Sequence, residues 1–318
     1  MNRLIPSKIG KRAPGRAGWL GGLVAGVAVM LAAPCAHAQV FVLNLDNNSG
    51  NGTVGEYTTS GATVNSSLIS GLFQDYAIAV SGSDLYVVHS SSVGKYTTSG
   101  ATVNAQMFGL GAPEGVAVSG SDLYVSASGK LVGVGVYTTS GATVNAALIS
   151  APSWAIALSG SDVFVSNTNT GVIGEYTTSG ATVDASLITG LSSPHGIAIS
   201  GTDLFVTNAN NGTVGEYTTS GATVNASLIT GLSGPSGIAI SGSDLLVTNA
   251  GNGTVSEYTT SGTLLDANFI TGLDDPVGIA VEAEAVPEPT AGWAMAVAAL
   301  GTLTVVVWRR LRPRSETR

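Results

Sequence analysis

The sequence predicts an all-β protein, a six-bladed β-propeller of four-stranded blades, each about 40 residues long, followed by one C-terminal transmembrane helix. Three observations carry this. The segment Tyr-Thr-Thr-Ser-Gly begins at Tyr57, Tyr96, Tyr137, Tyr176, Tyr217 and Tyr258, at spacings of 39, 41, 39, 41 and 41 residues. Within one unit, Gly196–Ile199, Asp203–Asn208, Thr213–Thr218 and Ala222–Ile229 are short, rich in β-branched or aromatic residues and bounded by Gly, Ser, Asn or Asp, the pattern of strands separated by turns. The repeat region opens on a strand of the second type, Phe41–Asn44, and closes on one of the first type, Gly278–Val281. Those halves complete one composite blade, a clasp that leaves no large open edge. No 3.6-residue apolar period runs through the repeats, which excludes a helical solenoid. A parallel β-helix or an open β-array remains the alternative, with coils usually shorter than about 40 residues.

Residues 1–38 read as a secretory signal peptide. Arg3, Lys8, Lys11, Arg12 and Arg16 precede the apolar run Trp19–Ala33, and Ala36-His37-Ala38 is an A-x-A cleavage site. Export through the Sec machinery and cleavage between Ala38 and Gln39 are the expectation. Pro34 argues against reading Leu31–Cys35 as a lipoprotein box. Cys35, the single cysteine, is then lost, so the mature chain folds without a disulfide.

The propeller is expected over 39–283. Ala198, Ala239 and Ala280 alternate with isoleucine or valine on the inner strands, small as crowding near the axis requires, so one strand packs both neighbouring blades. The repeated tyrosines are expected between blades, with hydroxyls near the rim. Ser-Gly-Ser-Asp or a near variant, as at Ser81–Asp84, is turn chemistry, and its recurrence in five units marks the aspartates as structural. Asn-Gly-Thr at Asn51, Asn211 and Asn252 fits a tight hairpin turn.

Beyond it, 284–290 is a linker holding Pro287-Glu288-Pro289, and Ala291–Trp308 is an uncharged run of 18 residues. As a helix that run reaches about 27 Å, enough for a hydrocarbon core of about 30 Å. The basic tail 309–318, with Arg309, Arg310, Arg312 and Arg314, stays cytoplasmic by the positive-inside rule. Motif, span and basic cluster together resemble the PEP-CTERM sorting signal of exopolysaccharide-producing Gram-negative bacteria. The resemblance implies an exosortase-type membrane protease as partner, transient anchoring in the inner membrane with the propeller on the periplasmic side, cleavage near the motif, and delivery to the cell surface or extracellular matrix.

Between 39 and 286, 18 acidic residues face two lysines, Lys95 and Lys130, a net charge of −16. Such a field excludes nucleic acid as a partner and favours cations or neutral glycans. The unit Pro194–Ile199 followed by Leu204–Asn208 is similar to the NHL and YVTN propeller repeats, a group that implies binding scaffolds as well as lactonases and lyases.

Among near-copied repeats, a site belongs where copies differ. One variable ring stands at the start of the inner strands: Asp75, Glu114, Ser153, His195, Ser236 and Val277, with Tyr76 and Trp154 replacing the following glycine. A second stands at the end of the second strands: Asn44, His89, Ala127, Asn167, Asn208 and Asn249. Antiparallel neighbours bring both to one mouth of the channel, a binding face for an extracellular polysaccharide or protein. There Glu114, Asn167, Asn208 and Asn249 supply oxygen ligands of the kind Ca²⁺ takes, loosely resembling metal-dependent six-bladed lactonases, with His89 or His195 as base. The competing reading is that these asparagines satisfy turn backbone. No metal is assigned, and no HExxH, GxSxG, Walker or Rossmann motif occurs in the mature chain. The expectation is a non-catalytic binding or structural protein, with a Ca²⁺-dependent lactonase or lyase as the alternative.

Overall fold

A computed structural model describes residues 39–128 and 133–282 of the 318-residue chain. The expected signal peptide, the linker with its Pro287-Glu288-Pro289 motif, the transmembrane helix and the basic tail lie outside the described residues. Among the described residues 24 strands form six four-stranded antiparallel sheets, the blades of a propeller. No helix there is long and apolar enough to cross a membrane.

Blade 1 is the composite one: Asp275–Val281 is its innermost strand, followed outward by Gln39–Leu45, Asn51–Thr58 and Thr63–Phe73. The clasp pairs Phe41 with Ala280 and Val42 with Ile279, so the two ends of the repeat region share one hydrogen-bonded sheet. Blades 2 to 6 start at Asp75, Pro113, Ile156, Pro194 and Pro235 and each runs through four strands in chain order.

Each interface between successive blades holds one buried apolar cluster. Between blades 4 and 5, Phe164, Ile173 and Ile188 meet Ile197, Leu204 and Tyr217. Between blades 5 and 6, Ala198, Phe205 and Ile229 meet Ile238, Leu245 and Tyr258. Ile197 and Ala198 therefore face opposite neighbours, as the two-residue period of a strand requires. The alanine has a more local reason to be small than crowding at the axis. Ala79, Ala157, Ala198 and Ala280 pair across the strand with Tyr86, Phe164, Phe205 and Phe41, and a small side chain beside a large ring keeps the layer at close-packed density.

The repeated tyrosines are buried between blades, but their hydroxyls fold back along their own strand. A methyl group added at Gly215 would lie 2.7 Å from the Tyr217 hydroxyl, and Gly55, Gly94, Gly135 and Gly174 have the same relation to Tyr57, Tyr96, Tyr137 and Tyr176. The ring thus lies over the glycine two residues upstream, which explains the recurrent Gly-x-Tyr. The near-invariant stretch that follows is a turn into the outermost strand. The Thr218 hydroxyl accepts from Ala222 N–H at 3.0 Å, the Thr218 amide donates to Ala222 O, and Gly221 takes φ +85°.

In the Ser-Gly-Ser-Asp hairpins Ser81 pairs with Asp84. Gly82 has φ +53°, and Ser83 is not among the positive-φ residues, the pattern of a type II′ turn. Asn211 and Asn252 lie in hairpin turns as expected, whereas Asn51 starts a strand, because in blade 1 the turn falls earlier, at Gly50 with φ +67°.

Candidate functional site

The innermost strands do not run as uninterrupted ladders. In blade 5 the register shifts between Pro194 and Ile197, and in blade 6 between Pro235 and Ile238. The bulge frees backbone groups at Gly196 and Gly237, and hydroxyls on the second strand satisfy them. Thr207 accepts from Gly196 N–H at 2.7 Å and donates to Ser236 O of the next blade at 2.7 Å. Thr248 accepts from Gly237 N–H at 2.7 Å, Ser166 accepts from Ala155 N–H at 2.9 Å, and Ser126 donates to Trp154 O of the next blade. All four hydroxyl residues are completely buried. Gly196 is needed because a β-carbon there would stand 2.5 Å from Ser236 O; the inner strands approach too closely for a side chain.

Like shifts occur in the inner strands of blades 1, 2 and 3, while the shorter inner strand of blade 4, Ile156–Ser159, pairs without one; in every blade one residue at the start of the inner strand or just before it lines the central cavity. The cavity at the channel mouth, about 160 Å³, is lined at that level by Tyr76, Glu114, Trp154, His195, Ser236 and Val277. The ring differs from its sequence expectation in blade 4. Ser153 occupies the position that proline takes at Pro113, Pro194, Pro235 and Pro276, and it does not line the cavity. Tyr76 and Trp154 are the ring residues, and Ala77 and Ala155 stand where the other blades carry glycine.

Around the ring, Trp154 contacts Tyr76 edge to face, with centroids 6.2 Å apart and planes at 77°. It also overlaps His195 at 5.2 Å and 32°. Burial pushes the His195 imidazole below its ordinary pKa, which favours the neutral ring near pH 7. Glu114, between Tyr76 and Trp154 in ring order, is only 7% exposed. Its Oε1 accepts from the Ser128 hydroxyl, while Oε2 is buried with no hydrogen-bond partner. Burial raises the Glu114 carboxyl above the usual carboxylate range, opposed by the smaller effect of the Ser128 bond.

The second ring is not part of this cavity. Asn44 accepts from Asp274 N–H and Asp275 N–H, Asn167 from Asn169 N–H and Thr170 N–H, and Asn208 from Ser192 N–H. The Asn249 amide donates to Val247 O, Thr254 Oγ1 and Ser256 Oγ. His89 donates through Nε2 to Ala105 O at 2.8 Å, on the outermost strand of its own blade. These side chains serve turns and blade edges. Of Glu114, Asn167, Asn208 and Asn249, Glu114 alone lines this cavity, and the side-chain oxygens of Asn167 and Asn208 already accept from backbone amides. Among the described residues no group of three His, Cys, Asp or Glu side chains is placed to hold a metal.

Sequence reasoning missed Ser128 and the hydroxyl ring. The visible signal was Ser or Thr directly before the strand-end residue in four blades: Ser126, Ser166, Thr207 and Thr248.

The bulged inner strands, the sixfold sheet order and the clasp define the class: a six-bladed β-propeller. No protein-family model matches the chain, and no curated protein matches it. Solved structures do match in fold. A chain of a nidogen–laminin complex superposes with TM-score 0.65 at 14% identity, covering 78% of this chain and 99% of that one. A protein of unknown function from Bacteroides caccae gives 0.58 at 13%, covering 77% and 99%. Catalytically inactive virginiamycin B lyase from Staphylococcus aureus, with quinupristin, gives 0.54 at 16%, covering 79% and 94%. At such identities the likeness is one of fold alone.

Proposed function

We propose that this chain is an exported, non-catalytic surface or matrix propeller that binds an extracellular polysaccharide at its channel mouth. One observation carries the reading: turns, tyrosines and interfaces are nearly copied from blade to blade, while the ring Tyr76, Glu114, Trp154, His195, Ser236 and Val277 has six different residues. Variation concentrated in a concave, aromatic-bearing ring is the arrangement of a binding site on a constant scaffold. Export and sorting rest on the sequence of the two ends, with Pro287-Glu288-Pro289 as the motif for an exosortase-type protease and the inner membrane as a transient anchor.

Two measurements test this. Intact mass of the protein from its host is expected to show a start at Gln39 and loss of Arg309–Arg314; a mature protein still carrying those arginines rules out the sorting route. On a glycan array, Trp154→Ala and Tyr76→Ala are expected to abolish binding. Binding that persists in both variants rules out the channel mouth.

A further inference from the structure

We propose that the mouth is built for one ammonium-bearing sugar ring, an amino-sugar unit whose amine pairs with Glu114 Oε2 while the ring lies against Trp154 and Tyr76. This rests on the binding reading above and specifies its ligand. Glu114 is more than nine-tenths buried and lines the cavity, yet only Oε1 has a partner. A buried carboxylate oxygen without a donor is costly, and a donor carrying positive charge offsets that cost best. Nothing else in the ring competes for the cation's place: Ser236 and Val277 are uncharged, and burial favours neutral His195.

The neighbours suit the same group. The aromatic faces of Trp154 and Tyr76 flank Glu114 in ring order, and a cation within about 6 Å of such a face is attracted to it. The volume sets the size. A cavity of about 150 Å³ holds one benzene molecule, so about 160 Å³ is too small for two sugar rings. Below the ring lie Gly115, Gly196, Gly237 and Gly278 with Ala77 and Ala155, and beneath them Ile78, Val116, Ile156, Ile197, Ile238 and Ile279. Ser236, which donates to Val277 O at 3.0 Å, keeps hydroxyl lone pairs for a sugar hydroxyl. The surrounding charge of −16 over 39–286 draws a polycation inward.

The experiment is calorimetric titration of the protein purified from its host, at about pH 6.5, with a glucosamine tetrasaccharide, its fully N-acetylated counterpart and a tri-lysine peptide. The glucosamine oligomer is expected to bind at least tenfold more tightly than the acetylated one. Glu114→Gln, which keeps the side-chain shape, is expected to erase that preference. Equal affinity for the two saccharides in the wild type overturns the inference and leaves the binding reading standing; this comparison needs no variant to fold. Tighter binding of tri-lysine overturns the assignment to a sugar. Saccharide binding unaffected by Trp154→Ala overturns the channel mouth itself, and the inference with it.

Discussion

Replacing Thr207 by valine tests the hydroxyl ring that links the blades at the axis. Thr207 is fully buried, accepts Gly196 N–H and donates to Ser236 O of blade 6, both at 2.7 Å. Valine keeps the shape and removes both bonds, leaving one donor and one acceptor unsatisfied. Each unsatisfied buried group costs about 1–3 kcal/mol, so about 2–6 kcal/mol is expected. For a domain of this size that corresponds to a fall of roughly 4–24 °C in Tm. Urea unfolding followed by circular dichroism gives the free energy, and Thr207→Ser, which keeps the hydroxyl, is the control at a cost of about 1 kcal/mol or less. In blade 2 the equivalent residue is Val88, which pairs directly with Ala77. If Thr207→Val lies within about 0.5 kcal/mol of wild type, the backbone has re-closed in that way and the hydroxyl bridge is dispensable.

Three further outcomes follow from the same geometry. Gly215→Ala drives a methyl into the buried Tyr217 ring and is expected to cost about 1–3 kcal/mol; in Tyr217→Ala most of that penalty should vanish, and strict additivity in the double-mutant cycle would refute the contact. Phe41→Ala in the clasp and Phe205→Ala in blade 5 remove equivalent, fully buried rings and should each cost about 3–5 kcal/mol; a much smaller loss at Phe41 would mean that the ring closes loosely. Stability should rise as pH falls from neutral toward the unfolded carboxylate values of about 4. Burial holds the carboxyls of Glu56, Glu114, Glu175, Glu216, Glu257, Asp275 and Glu282 above their unfolded pKa values, with nearby aspartates adding to the effect at Glu175, Glu216, Glu257 and Asp275. Between the unfolded and folded pKa values the native state binds more protons, so its penalty is complete above the folded values and relieved toward the unfolded ones. His195, lowered by burial, acts in the opposite sense below its ordinary pKa of about 6.5, so His195→Asn should steepen the rise. A Tm that stays flat or falls over this range contradicts the burial of these acids.

Blade number, strand order and the clasp were legible in the sequence because each rests on local signals. The two-residue period, the turn residues and the repeat length are written within about 40 residues of one another, and the half-blades at Phe41–Asn44 and Gly278–Val281 can only complete each other. The mouth was legible only in part. Ala77 and Ala155 replace the glycine that marks the inner strand elsewhere, which hid a one-residue offset and placed Ser153 in a ring to which Trp154 belongs. In a strand one residue decides which way a side chain points; Ile78 and Ile156, aligned with Ile197, carried the correct register. The asparagines looked like a converging ligand set because strand ends do meet at one end of the propeller, but Asn44, Asn167 and Asn208 accept from loop amides and Asn249 donates within its own blade.

The sequence by itself determined that this chain makes six copies of one unit and joins its two ends, since those properties depend on pattern and length. Only the tertiary structure decided which residues face the axis and that one oxygen of Glu114 is buried without a partner. That outcome depends on the register shift between Pro113 and Gly115, on Ser128 just past the adjacent strand, and on the cavity that the six inner strands enclose. No local pattern holds all three, because the cavity exists only when the ring closes.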